Sequence, residues 1–320
     1  MDAVTRAVRV VFKVVEARDI CSFELAAIDG ETLPPFSAGA HIDVYLPAGL
    51  TRQYSLCNNP SERHRYQIAV LRDTNSRGGS TAMHALEVGQ TIHVSDPKNH
   101  FPLVHDAHHS VLLAGGIGIT PLLCMAEHLA SLGTSFELHY CTRSADRAAF
   151  LERIRASPFA GRVHLHYDDG PPSQKLDLAA VLERTRSDVH LYVCGPTGFM
   201  DWSLETARTT GWPEERLHRE YFAAAPIDTS TDGSFDVQMA STGKVIRVDA
   251  HQTVVAALSA HGVSVPTSCE QGVCGACLTR VLEGIPEHRD MFLTVEEQAR
   301  GDQFTPCCSR SKSPKLVVDL

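Results

Sequence analysis

Residues 267–284 have the sequence TSCEQGVCGACLTRVLEG, and this stretch decides the fold of the C-terminal part of the chain. Its cysteines, Cys269, Cys274 and Cys277, are spaced C-x4-C-x2-C, and Cys307 follows after 29 further residues. Iron ions that share sulfide require soft anionic ligands, and this spacing lets one tight loop supply three thiolates while a distant segment supplies the fourth. The pattern therefore predicts a [2Fe-2S] site with these four cysteines as metal ligands.

Two glycines and a neighbouring cysteine bear on this site. Gly272 and Gly275 allow the loop to curl, so that backbone N–H groups can face the sulfurs. A zinc site is the alternative, but zinc motifs usually contain two C-x2-C pairs rather than a triplet and a remote cysteine. Cys307 and Cys308 are adjacent, and only one of them can point at a cluster from an extended segment. Cys307 is preferred because it gives the plant-type spacing, and Cys308 is then a buried thiol.

Length and charge limit the classes of protein that this chain can be. With 320 residues it suits two or three domains, each with its own core. The formal net charge of -9, without a basic run, makes nucleic acid and anionic membranes poor partners. The N-terminus lacks the apolar segment of a signal peptide, and no stretch reaches the roughly 18 apolar residues of a membrane span. We expect a cytosolic protein.

The remaining cysteines do not form a pattern of their own. Ten cysteines in a reducing compartment argue against a disulfide framework. Cys21, Cys57, Cys124 and Cys141 are expected to be small core residues. Cys194 is set apart because it lies in a glycine-containing turn, described below.

Short strand-like stretches separated by turns fill the first hundred residues. They are rich in Val, Ile and Tyr and lack helical periodicity, which predicts a small antiparallel barrel or sandwich. The predicted strands are VRVVFKVVEA, HIDVYLP, RQYSLCN, RYQIAVLR and QTIHVSD. In RQYSL, Arg52 and Tyr54 share one face of a strand, so a cation and a ring could bind one ligand. Residues 77–81, RGGST, suit a phosphate cradle, although a surface strand and an ordinary turn explain the two segments equally well.

From about Ser110, apolar strands alternate with helical stretches, which predicts a parallel sheet covered by helices. Residues 114–121, AGGIGITP, form a glycine-rich turn between a strand and a helix, the context in which a pyrophosphate is bound. Pro121 replaces the third glycine of the Rossmann motif, so that motif itself is absent. Thr120 and Pro121 suit the N-cap and first residue of the helix, and Gly133 suits its end.

A second glycine-containing turn, VCGPTGFM, follows another predicted strand and should lie at the same edge of the sheet. The two turns together predict a dinucleotide cleft rather than chance turns. Residues 225–233, APIDTSTDG, are short and polar and are interpreted as a linker. Beyond them FDVQMAS and KVIRVDA predict a hairpin, TVVAALSAH a helix and KLVVDL a closing strand.

Taken in order, RQYSL, GGIGITP, CGPTGFM and the cysteine motif resemble the ferredoxin-NADP reductase superfamily. The whole chain is similar to the phthalate dioxygenase reductase family, which includes vanillate demethylase reductases, because RGGS, EGIPEHRD and CCSRSKSPKLVVDL also match stretches typical of it. The resemblance implies three domains and a linker. They are an antiparallel β-barrel flavin domain (1–106), an α/β parallel-sheet nicotinamide domain (107–224), the linker (225–233) and a β-grasp plant-type ferredoxin domain (234–320).

The resemblance also implies FMN, NADH and a [2Fe-2S] cluster as cofactors, and it assigns residues to them. Those implied beside the flavin are Arg52, Tyr54, Ser55, Leu56 and Val70, with Gly79, Ser80 and Thr81 near its phosphate. Those implied for the nicotinamide nucleotide are Gly116, Thr120, Cys194, Gly195 and Pro196, with Phe222 near the flavin ring. The choice of NADH over NADPH is mostly inherited from the family, since Arg143 and Arg147 could meet a 2′-phosphate. Asp168 could repel that phosphate, although an exposed acid is the simpler interpretation.

The implied function is an NADH-dependent reductase that passes electrons through FMN to the [2Fe-2S] cluster and on to a Rieske-type oxygenase acting on an aromatic substrate. The oxygenase would dock at residues 272–276. Hydride transfer between cofactors needs no general acid or base, so no catalytic residue is predicted. Two alternatives are a reductase of the same architecture that serves a diiron monooxygenase or another terminal acceptor, and a non-catalytic flavin and iron-sulfur redox sensor.

Overall fold

A computed structural model of the protein describes residues 5–74, 76–184, 188–224 and 227–320. The chain divides into two compact units, Met1–Glu220 and Tyr221–Leu320. The first unit contains two sheets, and the second contains a five-stranded sheet and a two-stranded one. Within the described residues, none of the helices has both the length and the apolar character needed to cross a bilayer.

Six antiparallel strands form the first sheet. They are β1 (Thr5–Ala17), β2 (Ile20–Ala27), β3 (His41–Leu46), β4 (Leu50–Ser55), β5 (Tyr66–Leu71) and β6 (Thr91–Ser95). Their order is β4-β3-β6-β1-β2-β5. Leu56, directly after β4, bridges Ile68 on β5, and the Cys57 N–H donates to the Gln67 carbonyl at 2.8 Å. The two edge strands therefore meet, and the sheet closes into a barrel.

The interior of the barrel is apolar because alternate side chains of each strand point inward. Val10, Phe23, Ile42 and Ile68 lie in this core. Helix α1 (Gly79–Ala85) follows β5 and places Met83 in the same core.

Five parallel strands form the second sheet, with four helices between them. The elements are β7 (His109–Gly115), α2 (Ile119–Ser131), β8 (Ser135–Thr142), α3 (Leu151–Ala156), β9 (Val163–Tyr167), α4 (Leu178–Arg184), β10 (Val189–Cys194), α5 (Thr197–Thr209) and β11 (Leu217–Glu220). The strand order is β11-β10-β7-β8-β9. The order reverses between β7 and β10, and ligands bind at such a reversal in open α/β sheets.

The second unit is built around one sheet and two short helices. Its elements are β12 (Phe235–Met239), β13 (Val245–Val248), α6 (Val254–Ala260), β14 (Thr279–Glu283), β15 (Pro286–Glu287), α7 (Val295–Arg300), β16 (Gln303–Phe304), β17 (Arg310–Ser311) and β18 (Lys315–Val318). The main sheet has the order β13-β12-β18-β14-β16, and β15 pairs with β17. The core between sheet and helices includes Val237, Leu258 and Leu316, and it also receives Cys277 and Cys307.

The segment before β12 is tied to the second unit by buried charges. Arg289 donates to the Asp232 carboxylate at 3.0 and 2.5 Å, and Arg310 Nε lies 3.4 Å from it. Arg310 also donates to the Gly233 carbonyl at 2.8 Å. Residues 232 and 233 of the predicted linker are thus held by the fold that follows, while residues 225 and 226 lie outside the described part of the chain. The predicted domain boundaries stay predictions.

The predicted barrel, parallel sheet and C-terminal hairpin, helix and closing strand are all confirmed. Strands β2, β11, β14, β15, β16 and β17 and helices α5 and α7 were not predicted. The predicted N-cap at Thr120 is wrong, because α2 already begins at Ile119, directly after a 3-10 turn over Gly116–Gly118. The predicted helix end at Gly133 is confirmed, since its φ is +69° and its N–H donates to the Ala130 carbonyl at 3.1 Å.

Candidate functional site

Four cysteine side chains meet in the second unit. Cys269, Cys274 and Cys277 lie between α6 and β14, Cys307 precedes β17, and all four are buried. The Sγ atom of Cys269 contacts those of Cys274 and Cys307, and the Sγ atom of Cys277 contacts that of Cys307. Contact with Cys274, and then with Cys307, lowers the pKa of the Cys269 thiol. Contact with Cys307 likewise lowers the pKa of the Cys277 thiol. Four buried sulfurs, two of them with a lowered thiol pKa, fit the ligand set of a [2Fe-2S] cluster.

Backbone N–H groups of the cysteine loop point at two of these sulfurs. The Gln271 N–H donates to Cys269 Sγ over 3.3 Å, and the Ala276 N–H donates to Cys274 Sγ over 3.5 Å. Such bonds reduce the negative charge that thiolates present to a bound cluster. The predicted curl of the loop toward its own sulfurs is therefore present.

Close contacts explain why the loop contains Gly272 and Gly275. Their φ values are +75° and +68°, a region in which a side chain is strained. A Cβ atom at Gly272 would lie 2.4 Å from Cys308 Sγ, and one at Gly275 would lie 2.3 Å from the Phe292 ring. Both positions therefore exclude a side chain for steric as well as conformational reasons.

The adjacent cysteines have different surroundings. Cys307 is buried, and its sulfur contacts those of Cys269 and Cys277. Cys308 is half-buried, and its Sγ lies 3.3 Å from Thr305 Oγ1. The Cys307 side chain thus points toward the group of Cys269, Cys274 and Cys277. The assignment of Cys307 as the fourth ligand stays a prediction that this arrangement supports.

Arg52 on β4 and the turn before α1 form one continuous surface of the barrel. The Arg52 side chain runs across Gly79, since a Cβ atom there would lie 2.6 Å from Arg52 Cγ. The Arg52 guanidinium donates to the carbonyls of Thr51 and Arg77, at 2.7 and 3.3 Å. A guanidinium beside a glycine turn is a suitable phosphate site. The two segments of the predicted flavin phosphate site therefore come together.

The other residues predicted for the flavin differ in their exposure. Tyr54 is half-buried, and burial raises the pKa of its hydroxyl, so the phenol stays neutral. Ser80 is half-buried and Thr81 is exposed, both in the first turn of α1. The side chains of Leu56 and Val70 are buried in the barrel core.

The two glycine-containing turns of the parallel sheet pack directly against each other. A Cβ atom at Gly118 would lie 2.1 Å from the Cys194 carbonyl oxygen and 2.7 Å from the Gly195 nitrogen. A Cβ atom at Gly195 would lie 3.0 Å from Gly115 Cα, and Phe199 packs against both Gly115 and Gly195. The turns after β7 and β10 therefore approach each other backbone to backbone, and the dinucleotide cleft between them stays a prediction that this close packing supports.

The remaining residues predicted for the nicotinamide nucleotide line these turns. Gly116 has φ +54°, and the Thr120 hydroxyl donates to the Ile117 carbonyl at 3.0 Å. Pro196 is the N-cap residue of α5. Cys194 is fully buried, and burial, with the nearby Glu220 as a second cause, raises the pKa of its thiol. Cys194 is therefore an uncharged thiol.

Glu220 is a site residue that the sequence analysis missed. Glu220 ends β11 and pairs with Cys194 on β10, and Ser55 Oγ donates to its Oε2 at 3.2 Å. His41 Nδ1 lies 4.0 Å from the other carboxylate oxygen. Burial raises the pKa of Glu220 to about 8. This carboxyl therefore carries a proton at neutral pH at the junction of the barrel and the parallel sheet.

The sequence carries only a weak signal for Glu220. The segment RLHRE is short and apolar at only one position, so it lacks the alternation of a half-buried strand. The position of Glu220 is set by β11, which pairs in parallel with β10 and places its last residue level with Cys194. The strand itself was missed, and the carboxylate at its end was missed with it.

Other predicted residues follow different strands or belong to the second unit. Arg143 and Asp168 follow β8 and β9, and the Asp168 N–H donates to the Thr142 carbonyl at 3.0 Å. Arg147 lies 3.9 Å from Asp19. Phe222 belongs to the second unit, where its side chain is 39% exposed. Its predicted place near a flavin stays a prediction.

Comparison with known proteins gives one family-model match and several full-length relatives. The model described as 2Fe-2S iron-sulfur cluster binding domain matches residues 237–312. Vanillate O-demethylase oxidoreductase of Pseudomonas putida is 61% identical over 307 residues, which cover 95% of this chain and 96% of the relative.

Solved structures that are similar along almost the whole chain include a reductase and a cytochrome P450. One is phthalate dioxygenase reductase, described as a modular structure for electron transfer from pyridine nucleotides to [2Fe-2S]. It is 40% identical, with a TM-score of 0.78, and the match covers 99% of this chain and 98% of that one. The other is an intact type IV self-sufficient cytochrome P450 monooxygenase, which is 39% identical with a TM-score of 0.85. That match covers 99% of this chain and 41% of the longer chain.

Proposed function

The chain belongs to the family of oxygenase reductases that includes vanillate O-demethylase oxidoreductase and phthalate dioxygenase reductase, and we propose that its electrons go to a Rieske-type oxygenase acting on an aromatic substrate. It is an oxidoreductase whose cofactors are FMN, NADH and a [2Fe-2S] cluster. The observation that carries the proposal of this partner is the 61% identity to a vanillate O-demethylase oxidoreductase over 95% of the chain. The cytosol is the proposed compartment.

We assign the residues around the cofactors as follows. Arg52 and Gly79 bind the FMN phosphate, and the neutral Tyr54 lies beside its ring system. The turns at Gly116 and Gly195 bind the NADH pyrophosphate at the switch point of the parallel sheet. When bound, NADH and FMN supply hydride donation and acceptance, and the cluster supplies one-electron transfer.

Glu220 and Ser55 are proposed to hold the proton that accompanies hydride transfer. The Glu220 carboxyl is protonated at neutral pH because burial raises its pKa to about 8. Its hydrogen bond with Ser55 Oγ, at 3.2 Å, gives this proton a defined position. The neighbouring Cys194 thiol excludes water from the same place because it is fully buried. The protein thus orients the reacting groups, excludes water from the site and holds a proton.

Cys269, Cys274, Cys277 and Cys307 are proposed to hold the cluster, and the surface at residues 272–276 is proposed to dock the oxygenase. Plant-type clusters have potentials near about -400 mV, and Rieske centres lie higher, at roughly -150 to +300 mV. Electron flow from this chain to a Rieske centre is therefore downhill. The docking contact is expected to be small and short-lived, as in other redox encounters.

Rapid mixing of the oxidised protein with NADH tests the reductase function. Loss of flavin absorbance, followed by bleaching of the cluster, is expected. Inertness toward both NADH and NADPH would instead support the redox sensor. Parallel Cys307→Ser and Cys308→Ser variants test the fourth ligand, because only the first should lose the cluster spectrum.

The partner is tested by coupled turnover. NADH consumption should match substrate turnover when the protein is mixed with a Rieske oxygenase that demethylates vanillate, the substrate in the relative's name. The similarity to a self-sufficient cytochrome P450 keeps a different terminal acceptor as the second candidate. Coupling to a haem or diiron enzyme alone would contradict the Rieske proposal.

A further inference from the structure

A histidine-rich face of the parallel sheet lies outside the residues assigned to the cofactors. Glu137 and His139 are two residues apart on β8 and therefore share one face. His164 on β9 pairs with His139, His166 is two residues further along β9, and His109 lies on β7. Three neighbouring strands thus present four imidazoles and one carboxylate together.

The side chains converge on the Glu137 carboxylate. Glu137 Oε2 lies 3.3 Å from His139 Nε2 and 4.0 Å from His164 Nε2. The donor atoms of these three residues all lie within 4.8 Å of one another. His109 Nε2 approaches the other carboxylate oxygen, Oε1, at 4.0 Å. Ligand atoms around a tetrahedral metal with bonds of about 2.0 Å are separated by roughly 3.3 Å, so small movements would complete such a site.

A chain of hydrogen bonds orients the buried histidine. The Gln174 carbonyl can only accept, so the His166 Nδ1–H donates to it at 3.0 Å. His166 Nε2 is hydrogen-bonded to His139 Nδ1 at 3.1 Å. The other ring nitrogen of His139, Nε2, lies on the side of the Glu137 carboxylate.

The Nε2 atom of His139 is buried against the Glu137 carboxylate. His139 is 3% exposed, and its Nε2 lies 3.3 Å from Glu137 Oε2 without a well-aligned hydrogen bond to a described residue. A proton or a metal ion between the two groups satisfies both. A metal ion slightly off this line can bind both groups.

His109 repeats the arrangement on the other side of Glu137. Its Nδ1 is hydrogen-bonded to Ser135 Oγ at 2.8 Å, and its buried Nε2 also has no partner among the described residues. His109 Nε2 therefore faces the Glu137 carboxylate as a further imidazole nitrogen.

We propose that Glu137, His139 and His164 bind one divalent transition-metal ion, with Zn²⁺ the best match to two imidazoles and a carboxylate, and that His109 is available as a fourth ligand. His166 and Ser135 are the second-shell partners that orient two of the imidazoles. The ion would tie the edge strand β9 to β8, because His164 comes from one and the other two ligands from the other. The site is separate from the cysteine cluster in residue type as well as in sequence.

Calorimetric titration of the intact holoprotein with Zn²⁺ tests the proposal. Protein dialysed against a chelator, with its flavin and cluster absorbance retained, should bind one Zn²⁺ per chain. His164→Ala removes a ligand from an exposed position, so the fold should survive. Its Zn²⁺ affinity should fall by at least about 100-fold, because even second-shell losses cost about 10- to 100-fold.

His64→Ala is the matched control, because His64 is also exposed in the first unit. It should bind Zn²⁺ like the unmodified protein. Added Zn²⁺ should also raise the melting temperature of the unmodified protein and leave that of His164→Ala unchanged. The proposal is overturned if the unmodified protein does not bind Zn²⁺ at micromolar concentration, or if His164→Ala binds it with unchanged affinity.

Discussion

Glu220 illustrates how one buried carboxyl group links stability to chemistry. Burial raises its pKa from 4.5 to about 8, and the hydrogen bond from Ser55 offsets only part of that shift. Between these pH values the folded chain holds a proton at Glu220 that the unfolded chain has lost. The free energy of unfolding must therefore fall as the pH rises from 4.5 to 8, by up to about 5 kcal/mol.

Glu220→Gln should remove this pH dependence. Glutamine is neutral at every pH, so the variant should gain stability relative to the unmodified protein as the pH rises toward 8. Above pH 8 the stability difference between the two proteins should be constant. Thermal melting at pH 5, 7 and 9 measures the effect. Glu215→Gln, at an exposed position nearby, is the control. An equal melting difference for Glu220→Gln at pH 5 and pH 9 would show that Glu220 is ionised throughout.

Gly275 is expected to tolerate no side chain. In Gly275→Ala the new methyl group would meet the Phe292 ring, whereas in Gly262→Ala, with a similar φ of +78°, no atom lies within 4 Å. Both variants carry backbone strain of about 1 kcal/mol, but only Gly275→Ala should also lose bound iron. Iron content and visible absorbance per chain distinguish the two. Equal iron content in both would mean that the Phe292 ring moves aside freely.

At the scale of single elements, α7 has a clear N-terminal signal that the sequence analysis did not use. Thr294 Oγ1 accepts from the Glu297 N–H at 3.2 Å, and Glu297 Oε2 accepts from the Thr294 N–H at 2.8 Å. This is the reciprocal capping box that T-x-x-E predicts. The helix was missed because six residues are too few to establish a helical period.

Thr294→Ala should lower the stability of the second unit by about 1 kcal/mol without loss of the cluster. The reason is that the Glu297 N–H loses its acceptor while the cysteines are untouched. Urea unfolding followed by the visible absorbance of the cluster measures the change. Ser259→Ala, at an exposed position in α6, should leave the midpoint unchanged. A midpoint for Thr294→Ala equal to that of this control would contradict the role of the cap.

The contact between the turns after β7 and β10 leads to a prediction about NADH. In Gly118→Ala the added methyl group would lie 2.1 Å from the Cys194 carbonyl oxygen, so the two turns must separate. We expect the KM for NADH to rise about tenfold or more, since about 1.4 kcal/mol of lost binding corresponds to tenfold. Steady-state ferricyanide reduction measures it. Gly161→Ala, where no atom lies within 4 Å, is the control, and equal KM values would contradict the close approach.

The features that could be predicted from the sequence are those whose residues are contiguous in it. The cysteine loop and the two glycine turns are contiguous motifs and were recognised, as were the barrel strands other than β2, which are rich in Val, Ile and Tyr. Glu220 depends on β11, a strand defined by pairing with a residue far away in sequence. The contact of Arg52 with Gly79 likewise exists only after the barrel has closed. Side-chain partners of this kind cannot be derived from spacing alone.

At the scale of the whole molecule, the chain is a series of modules whose signals appear in order along the sequence. The barrel and the parallel sheet fall within one compact unit, and the cysteine site falls within the other. The polarity of residues 225–233 predicts a linker that belongs to neither of the two domains beside it. The buried contacts of Asp232 oppose that interpretation for the last part of the segment, because Arg289 and Arg310 have their carboxylate partner there.

Fragments of the second unit test where that unit begins. A fragment of residues 227–320 retains Asp232, whose side chain is 2% exposed. A fragment of residues 234–320 lacks Asp232, so Arg289 and Arg310 lose this carboxylate partner, although their side chains are only 13% and 7% exposed. Removal of one partner of a buried ion pair costs about 3 kcal/mol or more. The shorter fragment should therefore unfold at a lower urea concentration, as followed by cluster absorbance.

Asp232→Asn in the full chain should likewise lower the stability of the second unit. Asp228→Asn, which changes an exposed carboxylate, should not. Equal midpoints for the two fragments would mean that the linker extends to residue 233 and that the ion pairs contribute little to the fold.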